Sequence, residues 1–73
     1  MKYYATDHLK ERLLQRNISQ KDVTECLKNH HTEYPVKGNE HCRWYVGSVG
    51  KRKLRVMVDN KKSTLVTAYW LNE

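Results

Sequence analysis

A change of periodicity near Thr32 constrains the fold of this chain more than any other feature. Before this residue, apolar side chains recur at helical spacing in two segments, and helix-capping residues precede each segment. After it, apolar and polar residues alternate, with breaks at "KGNE", "VGKR" and "DNKKS". Helical spacing followed by alternation is typical of helices followed by an antiparallel sheet. We therefore predict an α+β domain, with two N-terminal helices packed on one face of a three- to four-stranded antiparallel sheet.

Local signals predict where the two helices begin and end. Thr6 or Asp7 can cap the first helix, which runs to about residue 16. Asn17 then suits the left-handed position that ends a helix. Ser19, with an acidic residue three positions later, can cap a second helix that continues to about residue 30. Two short helices with a tight connection should therefore open the chain.

The alternating part of the chain predicts both strands and faces. We expect four antiparallel strands, near residues 32–36, 41–48, 52–59 and 63–71. Pro35 marks the first as an edge strand or a loop. If Val46 pairs with Leu54 and Val58 with Thr64, one face becomes uniformly apolar. That face would contain Cys42, Trp44, Val46, Leu54, Val56, Val58, Val66, Ala68 and Trp70. The helices would cover it with Leu9, Leu13, Leu14, Val23 and Leu27.

The same register predicts a basic and aromatic surface on the opposite face. This surface would contain Arg43, Tyr45, Lys53, Arg55, Met57, Leu65, Thr67 and Tyr69. Tyr45, Arg55 and Thr67 would form one row across three strands, with Lys53 beside Tyr69. A guanidinium between aromatic rings can bind a phosphate or a stacked base. The alternative is structural, with Arg55 stacked on Tyr45 only to cover the sheet.

The charge of the chain is concentrated in the predicted sheet. The formal net charge of the 73 residues is +6. Residues 1–36 contain six Lys or Arg against five acids, whereas residues 37–73 contain eight against three. A positive field raises the local concentration of anionic partners, of which nucleic acid is the commonest. An acidic protein, an anionic membrane surface and simple solubility remain alternatives.

Length and composition exclude several other classes of protein. A chain of 73 residues has room for a single domain, residues 1–73. No stretch approaches the roughly 18 apolar residues of a membrane span. The first eight residues lack the apolar run of a signal peptide, so we expect a reducing cytoplasm and free cysteines. The chain has no Gly-rich phosphate loop and no Ser or Cys in a nucleophile elbow.

Three polar residues on the first helix form a candidate site. His8, Arg12 and Arg16 lie four residues apart, on the flank of the stripe formed by Leu9 and Leu13. Two guanidinium groups can bind a phosphate beside an imidazole that gives or takes a proton near neutral pH. The structural alternative is that both arginines lie over the edge of the core and His8 packs at the helix start.

A zinc site is the rival interpretation of the cysteines and histidines. Its ligands would come from Cys26, His30, His31, His41 and Cys42. No CxxC pair is present, and the predicted register points Cys42 into the core. We therefore expect neither a metal nor another cofactor.

Cleavage of RNA needs neither a metal nor a cofactor, because the 2'-OH of RNA supplies the nucleophile. The protein has to supply only a base, an acid and cations.

The ordered segments "TDHLKERLLQRNISQKDVTECL", "LRVMVD" and "TLVTAYW" resemble a family of small bacterial domains of unknown function. That family is similar to the BrnT and RelE-type toxins. Its pattern has a helical His, an Arg four residues later, an Arg-Gly-Ile-Ser connection, a basic strand and a closing Thr-Xaa-Tyr. The matching residues here are His8, Arg12, Arg16 to Ser19, Arg55, Thr67 and Tyr69. Asn17 replaces the usual Gly, and Leu9 replaces a small residue.

The resemblance covers about residues 4–70 and implies a RelE-like fold with metal-independent ribonuclease activity. Under this hypothesis, the catalytic residues are His8, Arg12, Arg55 and Tyr69. The residues that bind nucleic acid are Arg16, Arg43, Tyr45, Lys53 and Thr67. RNA is the expected partner, and a toxin of this type is normally neutralised by an acidic or helical antitoxin or inhibitor protein. The alternative is a non-catalytic module that binds nucleic acid or protein on the same basic face.

Overall fold

The computed structural model describes residues 3–71 of the chain. Its elements are α1 (Asp7–Gln15), α2 (Gln20–Lys28), β1 (His30–Val36), β2 (Asn39–Val49), β3 (Arg52–Asp59) and β4 (Thr64–Trp70). The strands form one antiparallel sheet in the order β1-β2-β3-β4, and both helices pack on one face of it. The predicted α+β fold is therefore confirmed. Within residues 3–71, no helix is long and apolar enough to cross a membrane.

The helix boundaries follow from local hydrogen bonds. The Thr6 hydroxyl accepts a hydrogen bond from the Leu9 N–H (3.1 Å), which caps α1. Ser19 and Asp22 each accept a hydrogen bond from the other's backbone N–H, which forms the predicted capping box of α2. Asn17 has a φ of 57°, the left-handed conformation predicted to end α1. These predictions are confirmed because each depends only on neighbouring residues.

The core lies between the helices and one face of the sheet. The buried apolar side chains of the helices and of β3 and β4 form one cluster, which includes Leu9, Leu13, Val23, Cys26, Leu27, Leu54, Val56, Val58, Leu65 and Ala68. The predicted burial of Leu14 is wrong, since this residue is 76% exposed whereas its neighbour Leu13 is 2% exposed. Leu9 and Leu13 share one helix face, and Leu14 lies about 100° further round the axis, toward solvent.

Leu13 and Leu14 therefore offer a matched test of the packing of α1. Leu13→Ala should lower the free energy of unfolding by about 2–5 kcal/mol, because it leaves a cavity in the core. Leu14→Ala should change it by less than about 0.5 kcal/mol, because the side chain is exposed. Urea unfolding followed by circular dichroism measures both values. Equal losses for the two variants would contradict the orientation of α1.

The register of β2 differs from the predicted one by a single residue. Val46 pairs with Arg55 and Gly47 with Leu54, whereas the prediction paired Val46 with Leu54. The predicted pairing needs a three-residue connection between β2 and β3, but the structure has a two-residue turn at residues 50–51. One residue of slip exchanges the two faces of a strand. Three side chains predicted to face the helices are therefore on the outer face, the face away from the helices: Cys42, Trp44 and Val46. Cys42 and Val46 are nevertheless buried there, at 4% and 8% exposed, as the prediction expected.

Gly47 explains why this register is the stable one. A Cβ at Gly47 would collide with the carbonyl oxygen of Cys26 and lie 2.9 Å from its carbonyl carbon. The backbone of α2 therefore packs directly on β2 at this point. A glycine inside a strand often marks such a close approach. In the predicted register the bulkier Val46 side chain would face the helices instead.

A β-bulge shifts the pairing of β4. Met57 pairs with Thr67 and Val58 with Leu65, so Val66 is an extra residue between the two pairs. The predicted pairing of Val58 with Thr64 is therefore wrong, as are the faces assigned to Leu65 and Val66. Leu65 is buried in the core, whereas Val66 is 43% exposed. Bulges of this kind bend a strand and redirect a side chain.

The thiol of Cys26 is enclosed between α2 and β3. Its S–H donates a hydrogen bond to the carbonyl oxygen of Leu54 (3.1 Å). Burial disfavours the thiolate and raises the pKa of Cys26 from 9.0 to about 11. An unfolded chain releases this proton near pH 9, whereas the folded protein keeps it until about pH 11. The contribution to stability is therefore complete below pH 9 and is lost as the pH rises through 11.

Alkaline unfolding should reveal this buried thiol. Between pH 9 and 11, the free energy of unfolding of the wild type should fall further than that of Cys26→Ala, by on the order of 2 kcal/mol. Tyrosine and lysine side chains titrate in the same range in both proteins, so the difference between the two curves isolates Cys26. Urea unfolding at a series of pH values provides the measurement. Parallel curves would show that the thiol is not enclosed.

Candidate functional site

His8, Arg12 and Arg16 form the polar strip of α1, and the first two of these residues are exposed. Arg12 Nε donates a hydrogen bond to His8 Nε2 (3.3 Å). A ring nitrogen that accepts a hydrogen bond carries no proton, so this contact assigns the proton of the neutral imidazole to Nδ1. The acceptor lone pair of His8 Nε2 is therefore occupied by Arg12, and this nitrogen becomes available to a ligand only when Arg12 releases it.

Arg16 extends the strip around the edge of the sheet to the outer face of β4. Its Nη1 donates hydrogen bonds to Thr67 Oγ1 (3.2 Å) and to the carbonyl oxygen of Ala68 (3.3 Å). Its guanidinium carbon lies 4.4 Å from the centre of the Tyr69 ring, a cation–π contact. Its backbone carbonyl accepts a hydrogen bond from Trp70 Nε1 (3.1 Å). Both the main chain and the side chain of Arg16 therefore join α1 to β4.

The α1 strip and the closing Thr-Xaa-Tyr segment share one cleft. His8 and Arg12 line a cleft of about 260 Å³ together with Thr67 and Tyr69. The other residues that line it are Thr6, Leu9 and Val66. The predicted sheet register separated the helix residues from Thr67 and Tyr69, which face away from the core. The structure brings them together around the β4 edge, where Val66 is the bulged residue.

Tyr69 brings an acidic phenol with a perturbed pKa to this cleft. A hydrogen bond with the Thr67 side chain lowers the pKa of Tyr69 below its usual value of 10.0, and the charges of Arg16 and Arg12 lower it further. Partial burial acts in the opposite direction. The side chain is 38% exposed, so a ligand in the cleft can reach the phenol. Tyr69 can therefore donate a proton more readily than an ordinary tyrosine.

Arg55 approaches Tyr69 from the interior of the sheet. Arg55 pairs with Tyr69 across β3 and β4, and its guanidinium carbon lies 5.6 Å from the Tyr69 ring centre. The same carbon lies 4.1 Å from the ring of Trp44. The predicted stacking of Arg55 on an aromatic residue of β2 involves Trp44 rather than Tyr45. The Tyr69 ring thus contacts two cations, Arg16 and Arg55, although Arg55 does not line the cleft itself.

The predicted placement of Arg43 and Tyr45 on the same face as Arg55 is wrong. Tyr45 lies on the helix side, where its ring meets His30 edge to face at 5.0 Å between centroids. Arg43 is two residues before Tyr45 in β2 and therefore lies on the same side, where it forms an ion pair with Glu33 (3.5 Å). The slip of β2 by one residue moves both side chains away from the outer face. The structure therefore does not bring them to the cleft.

Lys53 lies on the predicted face but with a different neighbour. On the β4 side its backbone carbonyl accepts a hydrogen bond from the N–H of Leu71, because Tyr69 pairs with Arg55 instead, and the Lys53 side chain is exposed. Sequence reasoning missed two residues near the site, Trp44 and Val66. Gly47 is the sequence signal that would have placed Trp44 on the outer face, because a glycine inside β2 indicates a close helix. We find no comparable signal for the bulge at Val66.

The cysteines and histidines of the alternative zinc site do not assemble. Cys26 is buried in the core, and Cys42 is on the outer face, where it pairs with Asp59. Across residues 3–71, no group of three or more His, Cys, Asp or Glu side chains is arranged to bind a metal ion.

The family of the chain follows from comparison with known protein families. A family model described as "Domain of unknown function (DUF4258)" matches residues 5–70. The chain belongs to the DUF4258 family. The matched region of this DUF4258 domain includes every residue that lines the cleft. No curated protein and no solved structure matches the chain. Membership of a family of unknown function agrees with the prediction, whereas the resemblance to RelE and BrnT toxins stays a prediction.

Proposed function

We propose that the DUF4258 domain binds RNA and cleaves it without a metal ion, as a toxin of the RelE or BrnT type would. The observation that supports this proposal is the cleft at the β4 edge. A proton acceptor, His8 Nε2, and a proton donor, the Tyr69 phenol, line it with the guanidinium of Arg12. Acid, base and cation are the groups that cleavage by the 2'-OH requires.

The proposed reaction assigns one role to each group. Arg12 Nε exchanges its hydrogen bond from His8 Nε2 to a phosphate oxygen. The freed His8 Nε2 accepts the proton of the RNA 2'-OH, and the 2'-oxygen attacks the adjacent phosphorus. The bond from phosphorus to the 5'-oxygen breaks, and Tyr69 donates its proton to that oxygen. The products are a 2',3'-cyclic phosphate and a free 5'-OH. Arg12 and Arg16 stabilise the charge on the phosphorane, and Arg55 binds an adjacent phosphate.

The charge distribution supports an anionic polymer as the ligand. Of the +6 net charge, +5 belongs to residues 37–73, which include β3 and β4. Arg16 and Arg55 flank Tyr69 on the outer face, and Lys53 lies on the same face. A positive surface of this kind attracts phosphates from a distance. An antitoxin or inhibitor protein, acidic or helical, belongs to the same proposal because such a nuclease has to be neutralised in its own cell.

The decisive experiment uses purified protein and a defined RNA. A 5'-labelled RNA with a single-stranded segment should be cleaved in the presence of EDTA, and the new ends should carry a 2',3'-cyclic phosphate. An otherwise identical RNA with a 2'-deoxy nucleotide at the cleavage site should stay intact, because it lacks the nucleophile. If a mixed RNA pool remained intact with active, folded protein, we would abandon the catalytic proposal.

The second candidate is a non-catalytic RNA-binding module that uses the same surface. It is favoured by the contacts of Arg16, whose guanidinium already binds Thr67, Ala68 and the Tyr69 ring within the fold. Both candidates predict binding that weakens with salt. Three phosphate contacts on a single strand give a slope of about −2, or roughly 20-fold between 50 and 200 mM salt. A binding module would show this dependence and bind more weakly after Arg55→Ala, but yield no cleaved ends.

A further inference from the structure

A line of side chains on the outer face crosses all four strands, and only its last member, Thr67, belongs to the cleft of the proposed reaction. Strand pairing aligns Tyr34 of β1, Trp44 of β2, Met57 of β3 and Thr67 of β4. Side chains of paired residues in antiparallel strands project to the same face, so Tyr34 and Trp44 are neighbours. Both helices pack on the opposite face, and residues 3–71 contain no further helix to cover this one.

Tyr34 and Trp44 give the β1 and β2 half of this face an aromatic character. Tyr34 is 37% exposed, and Trp44 is half-buried. Every nucleobase has a flat π-face, so an aromatic side chain on an open sheet can stack with any unpaired base. The exposed ring of Tyr34 and the partly accessible ring of Trp44 are therefore suited to a ligand that carries several flat aromatic groups.

The aromatic surface is continuous with the cleft. The ring centres of Trp44 and Tyr69 are 6.3 Å apart, and the guanidinium of Arg55 contacts both rings. Tyr34 is three strands away from the strand that carries Tyr69, which corresponds to roughly 14 Å. A chain that enters the cleft can therefore continue across β3 and β2 and reach β1.

The charges beside the rings match a phosphate backbone. Lys53 and Arg55 lie on the outer face, and Arg16 reaches it from the β4 edge. Asp59 is the acidic residue of β3 on this face, and its carboxylate accepts hydrogen bonds from two backbone N–H groups of the following loop. Single-stranded nucleic acid combines phosphates with accessible bases, whereas the bases of a duplex are stacked on each other. An acidic peptide offers the charge without a regular series of flat rings.

We propose that Tyr34 and Trp44 form a stacking platform for unpaired bases, so that the ligand of this domain is single-stranded RNA. The inference rests on the proposed function, because the RNA that crosses the platform is the strand whose phosphate enters the cleft. Tyr34 and Trp44 bind bases and take no part in proton transfer. They select single-stranded over double-stranded RNA.

The test compares single-stranded and duplex RNA of the same sequence by fluorescence anisotropy at fixed low salt. Tyr34→Ser and Trp44→Leu should each weaken single-strand binding by roughly 5- to 150-fold, the equivalent of about 1–3 kcal/mol per stacked base. Duplex affinity and the salt dependence should stay within about twofold of wild type, because the phosphate contacts remain. Trp44→Phe should restore most of the affinity, because it keeps an aromatic ring.

Tyr4→Ser is the matched control, because Tyr4 is 65% exposed and lines a different cleft. It should bind both RNAs as the wild type does. Tyr34 is on the edge strand, so Tyr34→Ser tests the platform even if Trp44→Leu does not fold. If the wild type binds RNA but both variants bind it equally well, the platform is wrong and the proposed function stands. If the wild type binds polyglutamate but no RNA, both proposals fail.

Discussion

His8→Ala should reduce RNA cleavage by about 10²–10⁴-fold, the usual effect of removing a general base. The loss should appear in kcat, because His8 takes the proton of the 2'-OH in the transition state rather than binding the substrate tightly. RNA affinity should change by less than about threefold, because the arginines that bind phosphate remain. Single-turnover cleavage of a labelled RNA and a binding titration separate the two quantities.

His31→Ala is the appropriate control for this variant. His31 is also exposed, but it lies on β1, at the opposite edge of the sheet from the cleft. Its replacement should leave both cleavage and binding unchanged. Circular dichroism should show that both variants are folded, since neither side chain is in the core. Full activity of His8→Ala would remove His8 from the mechanism, whatever the affinity for RNA.

Gly47→Ala should destabilise the protein by about 3–4 kcal/mol, near the upper end of single substitutions. The new methyl group would collide with the backbone of Cys26, which no rotamer change can relieve. Either α2 must move away from the sheet or β2 must shift. A domain of this size has a total stability of only about 4–11 kcal/mol, so a large part of it would be lost. Urea unfolding, monitored by circular dichroism, measures the change.

Gly38→Asn separates this packing effect from the general effect of replacing a glycine. Gly38 has a φ of 85°, which Asn tolerates better than most residues. Apart from its two chain neighbours, no residue among 3–71 has an atom within 4 Å of a Cβ placed there. Its replacement should cost less than about 1 kcal/mol. If Gly47→Ala unfolded at the same urea concentration as Gly38→Asn, the close contact of α2 with β2 would be wrong.

The part of the fold that was predicted correctly depends on short-range interactions. The caps at Thr6 and Ser19 and the left-handed Asn17 involve hydrogen bonds and dihedral angles of adjacent residues. The strands follow from alternation, which is also local. The registers do not, because a two-residue and a three-residue turn leave the same alternation in the flanking strands. The tertiary contact between Gly47 and Cys26 decides between them.

The candidate site was predicted in part for the same reason. His8, Arg12 and Arg16 are placed by helical spacing, and Thr67 and Tyr69 by the alternation of β4. Four of these residues line the cleft, and Arg16 joins them through Thr67, whereas Arg55 does not line it. The faces of Arg43 and Tyr45 depended on the register of β2 and were wrong. The exposure of Val66 depends on a bulge, an irregularity that a regular pattern cannot predict.

The double attachment of Arg16 makes the cleft preorganised. The indole N–H of Trp70 donates a hydrogen bond to the backbone carbonyl of Arg16. The guanidinium of Arg16 donates hydrogen bonds to the Thr67 hydroxyl and the Ala68 carbonyl. The end of α1 and the edge of β4 are therefore tied together at three atoms before any ligand arrives. Little conformational entropy remains to be lost when a phosphate binds between them, which favours both affinity and alignment of the reacting groups. The hydrogen bonds at the end of α1 therefore contribute to the rigidity of the cleft, together with the sheet.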